Sequence, residues 1–380
     1  MMACPPRCIL VACVALVVLS TGVARAQDRE IRLGPDLVLE PSGAVQPRMS
    51  YGVQQSPDGD DTRVGIGLRR ARIQVRVTYL DRLGFEYDVD TAPGDVRSVD
   101  LFGFYALAEG VEIRAGRLPP AQPRAYIPTS FSETDVVDRA AIAERWAAGT
   151  IGSSGRDFGA SVEVEREQYQ VEVTLHNGTG AFSREQGNFR ESPAGESVTR
   201  GTDQTGLALS ALARLTPAAL PGVEIGAFVG ANGAGSENTA LMDVERTYTT
   251  AAAHAYWGAR PGSQPVRLKA DVLGIRYETV GGQRQRSAGA SALAAVRVLR
   301  HAEAFARAER FWSDVDADGE SYYAAGLSYS LSAARGRNYR EVRLTAAYTY
   351  RDSAAPGLGG LGSEGREDAH LAVLQAQFAF

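Results

Sequence analysis

A pattern of alternation, repeated along the whole length, most constrains what this chain can fold into. In GLRRARIQVRVTY, residues 67–79, Arg70, Arg72, Gln74 and Arg76 alternate with Ala71, Ile73, Val75 and Val77. An extended backbone then carries charge on one face and oil on the other. Sixteen stretches read this way: 45–54, 65–80, 83–92, 99–107, 110–118, 156–166, 168–176, 204–216, 222–232, 246–259, 266–278, 286–299, 302–313, 320–333, 340–351 and 368–380. Past the first residues, no run approaches the roughly 18 apolar residues of a spanning helix, and mean hydropathy is below zero. The 380 residues would ordinarily make two or three globular domains, but these segments predict one long antiparallel sheet.

The connections sharpen that expectation. Residues 81–82, 108–109 and 167 leave room only for tight turns, and His301 sits in another, whereas 119–155, 177–203, 233–245 and 352–367 are long. Short periplasmic turns and long extracellular loops sorted to opposite ends belong to an all-β transmembrane antiparallel barrel, here of sixteen strands. The faces agree: Val171, Val173 and Leu175 oppose Gln170, Glu172, Thr174 and His176, and Val342, Leu344 and Ala346 oppose Glu341, Arg343 and Thr345. In such a barrel the oily face meets lipid and the polar face a water-filled lumen. Phe85, Tyr87, Trp257, Phe311, Trp312, Tyr348 and Tyr350 gather toward segment ends, as interfacial girdles require. The last segment, HLAVLQAQFAF, ends on Phe380 and puts it on one face with Phe378, Ala376, Leu374 and Ala372.

Residues 1–26 read as a secretory leader: Arg7, an apolar run from Ile9 to Leu19, and Ala24-Arg25-Ala26 before a cut at Gln27. Leu10-Val11-Ala12-Cys13 offers a rival lipoprotein box, with little hydrophobic region upstream. Residues 27–44 form a lead segment and 45–380 a single barrel domain. Cys4, Cys8 and Cys13 all lie in the leader, which excludes disulfides and thiol chemistry from the mature chain. The sequence holds 40 basic and 45 acidic residues; the leader removes two arginines and no acid, so a nucleic-acid partner is disfavoured.

GLRRARIQVRV (67–77), FEYDVD (85–90), VEIRAGRLPPAQPRAY (111–126) and the run from Phe131 to Val164, with its Gly155-Arg156-Asp157 end, resemble the phosphate-selective porin O/P family. The motifs cover about residues 60–180, and the remainder matches only in strand rhythm. The resemblance implies a sixteen-stranded outer-membrane porin, commonly a homotrimer, whose third loop folds into the pore and whose wall arginines select anions. That loop corresponds to 119–155. A helix is expected at Glu133–Ala148, capped by Ser132 with Asp135 as the capping-box acid; a loop splayed over the mouth is the alternative.

Arginine suits anion transfer because its planar fork binds oxyanions bidentately while weak successive sites let the ion move on. The pore-lining candidates are Arg70, Arg72, Arg76, Arg114, Arg267, Lys269, Arg307 and Arg343; the constriction-loop candidates are Glu133, Asp135, Asp138, Arg139 and Arg145. Arg117 has the opposite parity to Arg114. Lys269 is the sole lysine, so no lysine funnel exists, and lumen parity also collects Glu86, Asp88, Asp90, Glu112, Glu163, Glu165, Glu172, Glu303 and Glu309. Arg76 and Glu86 fall on neighbouring strands, placed to pair. A mixed lumen suits general diffusion as well as anion selection. Asp314-Val-Asp316-Ala-Asp318-Gly319 opens like a calcium loop but has Ala325 where the bidentate Glu belongs. The four histidines share no metal-ligand spacing, no Gly-x-Ser-x-Gly elbow appears, and Ser210 with His254 offers only a forced catalytic pair. No cofactor, metal or catalysis is expected. Passive passage of small anions, phosphate among them, or of small hydrophilic solutes competes with a closed structural or adhesive barrel.

Overall fold

A computed structural model describes residues 30–55, 59–92, 94, 96–127, 134–151, 155–178, 207–232, 236–237, 245–279, 284–313, 316–353 and 368–380. The leader, Ser132, Glu133 and most of loops 177–203 and 352–367 lie outside them. Sixteen long strands run in chain order: β1 Leu37–Gln54, β2 Asp61–Tyr79, β3 Leu83–Asp90, β4 Arg97–Ala108, β5 Val111–Leu118, β6 Asp157–Glu165, β7 Tyr169–His176, β8 Ala208–Leu215, β9 Val223–Asn232, β10 Glu245–Trp257, β11 Val266–Thr279, β12 Arg284–Leu299, β13 Ala302–Ser313, β14 Asp316–Ser330, β15 Val342–Ser353 and β16 Ala369–Ala379. Two-residue pairings at Ile31–Arg32 and Ser236–Glu237 extend the rim.

Each strand pairs antiparallel with its chain neighbours, and β16 pairs with β1, so the sheet closes without an edge. The carboxyl-terminal aromatic completes the seam. Phe380 N donates to Gly43 O at 3.1 Å, and Gly43 N donates to Phe380 O at 3.0 Å. A Cβ on Gly43 would strike the Phe380 ring, so only glycine fits beneath it. Strand β1 begins at Leu37, earlier than alternation alone indicates, which makes residues 37–44 wall where a lead segment was expected. Pro41 interrupts the run there. Pro41 is tolerated because β16 ends beside Gly43, leaving Pro41 paired with Val75 on one side alone.

Burial is inverted relative to a soluble barrel. Val173 is 41 % exposed while Thr174 beside it is fully buried, and Ile66 reaches 78 %. The longest connections, 119–156, 177–207, 233–244 and 354–368, share one end of the barrel. Shorter turns such as 80–82, 109–110 and 300–301 lie at the other, although an eleven-residue link carrying the short helix Leu331–Ala334 also falls there. The buried core therefore lies inside the ring, where the chain between β5 and β6 packs on the wall.

Candidate functional site

The loop after β5 folds inward. Its helix α1, Ala141–Gly149, presses Trp146, Ile142 and Ala143 onto inward-facing Phe228, Tyr248, Ile275 and Phe311. Trp146 Nε1 donates to Thr250 Oγ1 at 3.1 Å, and its ring meets Phe228 edge-on with centroids 5.6 Å apart. Ile142 N donates to Glu309 Oε2 at 3.2 Å, satisfying one of the helix's orphan donors.

The helix starts eight residues later than expected, with Ala140 at its N-cap and no side-chain cap. Asp135 does not serve as a capping acid because strand cations claim it: Lys269 Nζ lies 2.6 Å away and Arg267 also bonds it. Burial alone would raise the Asp135 pKa, but Lys269 and Arg267 override it and hold the carboxyl at about 2. Asp138 is likewise taken, accepting from Arg69 Nε at 2.7 Å. These ties hold 134–140 out of helix.

Wall arginines also satisfy the loop backbone. Arg307 donates to the Asp138 and Arg139 carbonyls at 3.0 Å each, and Arg343 donates to the Thr134 carbonyl at 2.7 Å. Arg145 grips Glu320 with contacts of 2.6 and 2.7 Å, and Arg124 Nε reaches Glu224 on β9 at 2.6 Å. Arg139 pairs with Glu144 at 3.1 Å over the Tyr126 ring. The loop is thereby tied to β2, β9, β11, β13, β14 and β15, which lie on both sides of the lumen.

Two charge regions result. Along β2–β7 the predicted wall arginines sit among acids. Arg72 bonds Asp90 at 3.0 Å and Asp88 at 3.2 Å; Arg76 bonds Glu86 at 3.3 Å and Glu112 at 2.6 Å. Arg76 also stacks 3.7 Å over Phe104, which itself packs on Gly84, where a Cβ would collide with the ring. Arg114 contacts Glu163 and, at 3.2 Å, Glu172. Three guanidiniums thus meet six carboxylates. The second region is a hollow between the loop and the wall, lined by Arg69, Arg70, Arg124, Arg139, Lys269 and Arg307 against Asp135, Asp138 and Asp271. In that lining the cations outnumber the acids, and Arg124, Arg139 and Arg307 have their acids, Glu224, Glu144 and Glu309, set back from it.

The candidates divide between these regions. Arg72, Arg76 and Arg114 belong to the acidic wall, with Arg76–Glu86 paired as strand adjacency suggested. Arg70, Lys269, Arg307, Asp135, Asp138 and Arg139 line the hollow. Arg267 and Arg343 anchor the loop from beneath, and Arg145 ties α1 to β14. Glu133 lies outside the described residues. Three cations escaped the period-two reading. Arg69 has lipid-face parity, but a bulge opposite Gln46 and Pro47 turns it inward beside Arg70. Arg156, also of lipid-face parity, precedes β6 as the last loop residue and forks onto Asp100 at 2.9 and 3.1 Å. Arg124 lies in irregular chain where no periodicity applies. Arg117, on the face opposite Arg114, is buried and donates to the Val99 carbonyl at 3.1 Å. Ser210 and His254 occupy different levels on either side of β9, opposite Gly230 and Gly226, so they form no pair.

No protein-family model matches this sequence, and no curated protein is similar to it in sequence. Its fold is that of bacterial porins. An anion-selective porin from Comamonas acidovorans is 13 % identical, with 91 % of this chain and 100 % of that one covered and a TM-score of 0.67. The outer membrane channel DcaP of Acinetobacter baumannii (13 % identity, 92 % and 99 % covered, TM-score 0.60) has a similar structure. So does OmpF of Salmonella typhi in complex with daunomycin, at 13 % identity, 92 % and 100 % coverage and a TM-score of 0.60.

Proposed function

We propose that this protein is a bacterial outer-membrane porin that passes small anions by passive diffusion, with the 119–155 loop forming the constriction. The observation that carries this reading is the cation excess at the loop, where Arg69, Arg70, Arg124, Arg139, Lys269 and Arg307 face Asp135, Asp138 and Asp271. Such a cluster raises the local anion concentration, while the acid-rich β2–β7 wall gives the lumen a transverse field that orients dipolar solutes. Guanidinium forks at Arg69 and Arg70 suit oxyanions, so phosphate is the finer candidate cargo. The strand pattern, the leader and the porin-like neighbours support an outer-membrane location with long loops outside the cell. A trimer form is known for OmpT of Vibrio cholerae, whose fold is similar, and a homotrimer is the assembly proposed here.

The test is reconstitution in planar bilayers under a salt gradient, comparing chloride, phosphate and potassium. Stepwise conductance with an anion-selective reversal potential is the expected outcome. A barrel that never conducts is a structural or adhesive protein, and cation preference removes the role assigned to the hollow.

A further inference from the structure

One turn at the short-turn end does more than join its strands. Residues 258–265, Gly-Ala-Arg-Pro-Gly-Ser-Gln-Pro, link β10 to β11. A hairpin turn ordinarily meets only its own two strands, which lie about 4.8 Å apart. This one reaches past them. Gly262 N donates to Glu303 Oε2 on β13 at 3.0 Å, and Gly262 O accepts from Arg297 Nη2 on β12. Strand β13 lies two places beyond β11, roughly 10 Å along the wall. Both side chains have lumen parity: Glu303 shares its face with buried Phe305, and Arg297 with buried Leu293 and Ala295. A turn gripped by two lumen-side residues lies across the mouth of the barrel rather than outside its rim.

The link between β14 and β15 holds the turn from the far side. The buried Tyr339 ring sits on Gly262, which has a φ of +72° and where a Cβ would collide with the ring. Tyr339 Oη donates to Ser328 O at 3.2 Å, which fixes the ring to β14. Pro261 and Pro265 restrict the chain on either side of this contact. Pro261 is buried while Arg260 and Ser263 are exposed, so the turn has an inner and an outer side.

The turn and the inward loop share wall residues. Arg267 bonds Asp135 of the loop, reaches Gly258 O of the turn at 3.4 Å, and holds Glu303 through Nε at 3.1 Å. Lys269, the next lumen residue of β11, lines the hollow with Asp135. The turn therefore lies beneath the hollow. Turns 80–82 and 109–110, under β2–β5, have too few residues to reach inward, which leaves the exit open on that side.

We propose that residues 258–265 form a second constriction, a strap that floors the hollow at the periplasmic exit and limits the size of solute that leaves it. This rests on the porin reading, which supplies the flow and puts the short turns in the periplasm.

Planar bilayers holding the full barrel in one orientation test it, with neutral polyethylene glycols of graded size added to one side at a time. Polymers that enter from the long-loop side and lower the conductance should be excluded from the short-turn side. Tyr339→Ala frees the strap without removing a charge. It should admit the same polymers from both sides and raise conductance about twofold, with ion preference unchanged. Tyr339→Phe, which keeps the ring, should behave as the native chain does. Equal entry from both sides of the native channel, or a Tyr339→Ala channel indistinguishable from it, overturns the proposal. A second measurement leaves the packing intact. All three cysteines lie in residues 1–26, so Ser263→Cys gives the remaining chain one exposed thiol. A bulky maleimide on it should roughly halve the conductance, whereas the same adduct on Arg82→Cys should not. An adduct at 263 without effect sinks the strap. A native barrel that never conducts overturns the porin reading and the strap together; a conducting barrel that fails these tests loses the strap alone.

Discussion

The β2–β7 wall and the loop-facing hollow are built from the same residue type and do opposite things with it. On the wall each arginine is outnumbered: Arg72 lies between Asp88 and Asp90, Arg76 between Glu86 and Glu112, and Arg114 beside Glu163 and Glu172. In the hollow the acids meet the cations one at a time: Arg69 with Asp138, Arg139 of the loop with Glu144, Lys269 with Asp135 and Arg307 of β13 with Glu309, all beside Arg70 and Arg124. A guanidinium held by two carboxylates is a structural tie with little field left over. A guanidinium with a single acid and other cations beside it keeps more of its field for a passing anion. Counting lumen arginines therefore says little about selectivity; their neighbours decide it.

The comparison breaks most completely if the loop leaves the wall. Replacing Trp146 with Ala should cost about 3 to 5 kcal/mol of docking, as a fully buried aromatic does, and should raise single-channel conductance while flattening ion selectivity. Unchanged conductance would mean that α1 does not narrow the path. Asp135→Ala comes next. It strands Lys269, while Arg267 keeps Glu303 at 3.1 Å, a loss of about 3 kcal/mol for a broken buried pair, read as a lower melting temperature of the folded barrel.

Charge removal in the hollow should have a clearer signature and a smaller energy. Arg69→Ala with Arg70→Ala should lower the anion-to-cation permeability ratio several-fold, roughly what two lost charges at a constriction produce. The matched wall variant, Arg76→Ala, should move the reversal potential less, since its charge is already shared between Glu86 and Glu112. Equal shifts from the two variants would erase the distinction between the regions. The smallest effect is that of pH. Asp135 is held below its unfolded value, at about 2, so its contribution to docking is complete above the ordinary carboxylate range and disappears as pH falls through about 2. Conductance should hold from roughly pH 7 to pH 4 on this account; a step near pH 6 would assign the loop's hold to another group.

Alternation exposes strand identity and wall face because a pleated strand turns successive side chains to opposite sides whatever its partners are. Val171 to His176 could be sorted into lipid and lumen sets from the residue string alone. The same rule alone would put Arg69 on the lipid face, but a bulge adds one residue and reverses the parity locally. It had no purchase on Arg124, which no periodic segment contains. The capping pattern at Ser132–Asp135 described a helix start that the fold did not use: the same acid met Lys269 and Arg267, more than 130 residues further along the chain, and those ion pairs outweigh a local cap.

Sequence by itself determined the sixteen strands, the lipid and lumen faces, a last strand ending on an aromatic and the length of the loop after β5. Those are short-range properties, written in periods of two and in the spacing of turns. Tertiary structure decided which arginines meet two acids and which meet one beside other cations. That sorting follows from how a closed ring and an inward loop bring Asp135, Asp138, Arg69 and Arg307 together, and charge acts through distance in space rather than separation along the chain.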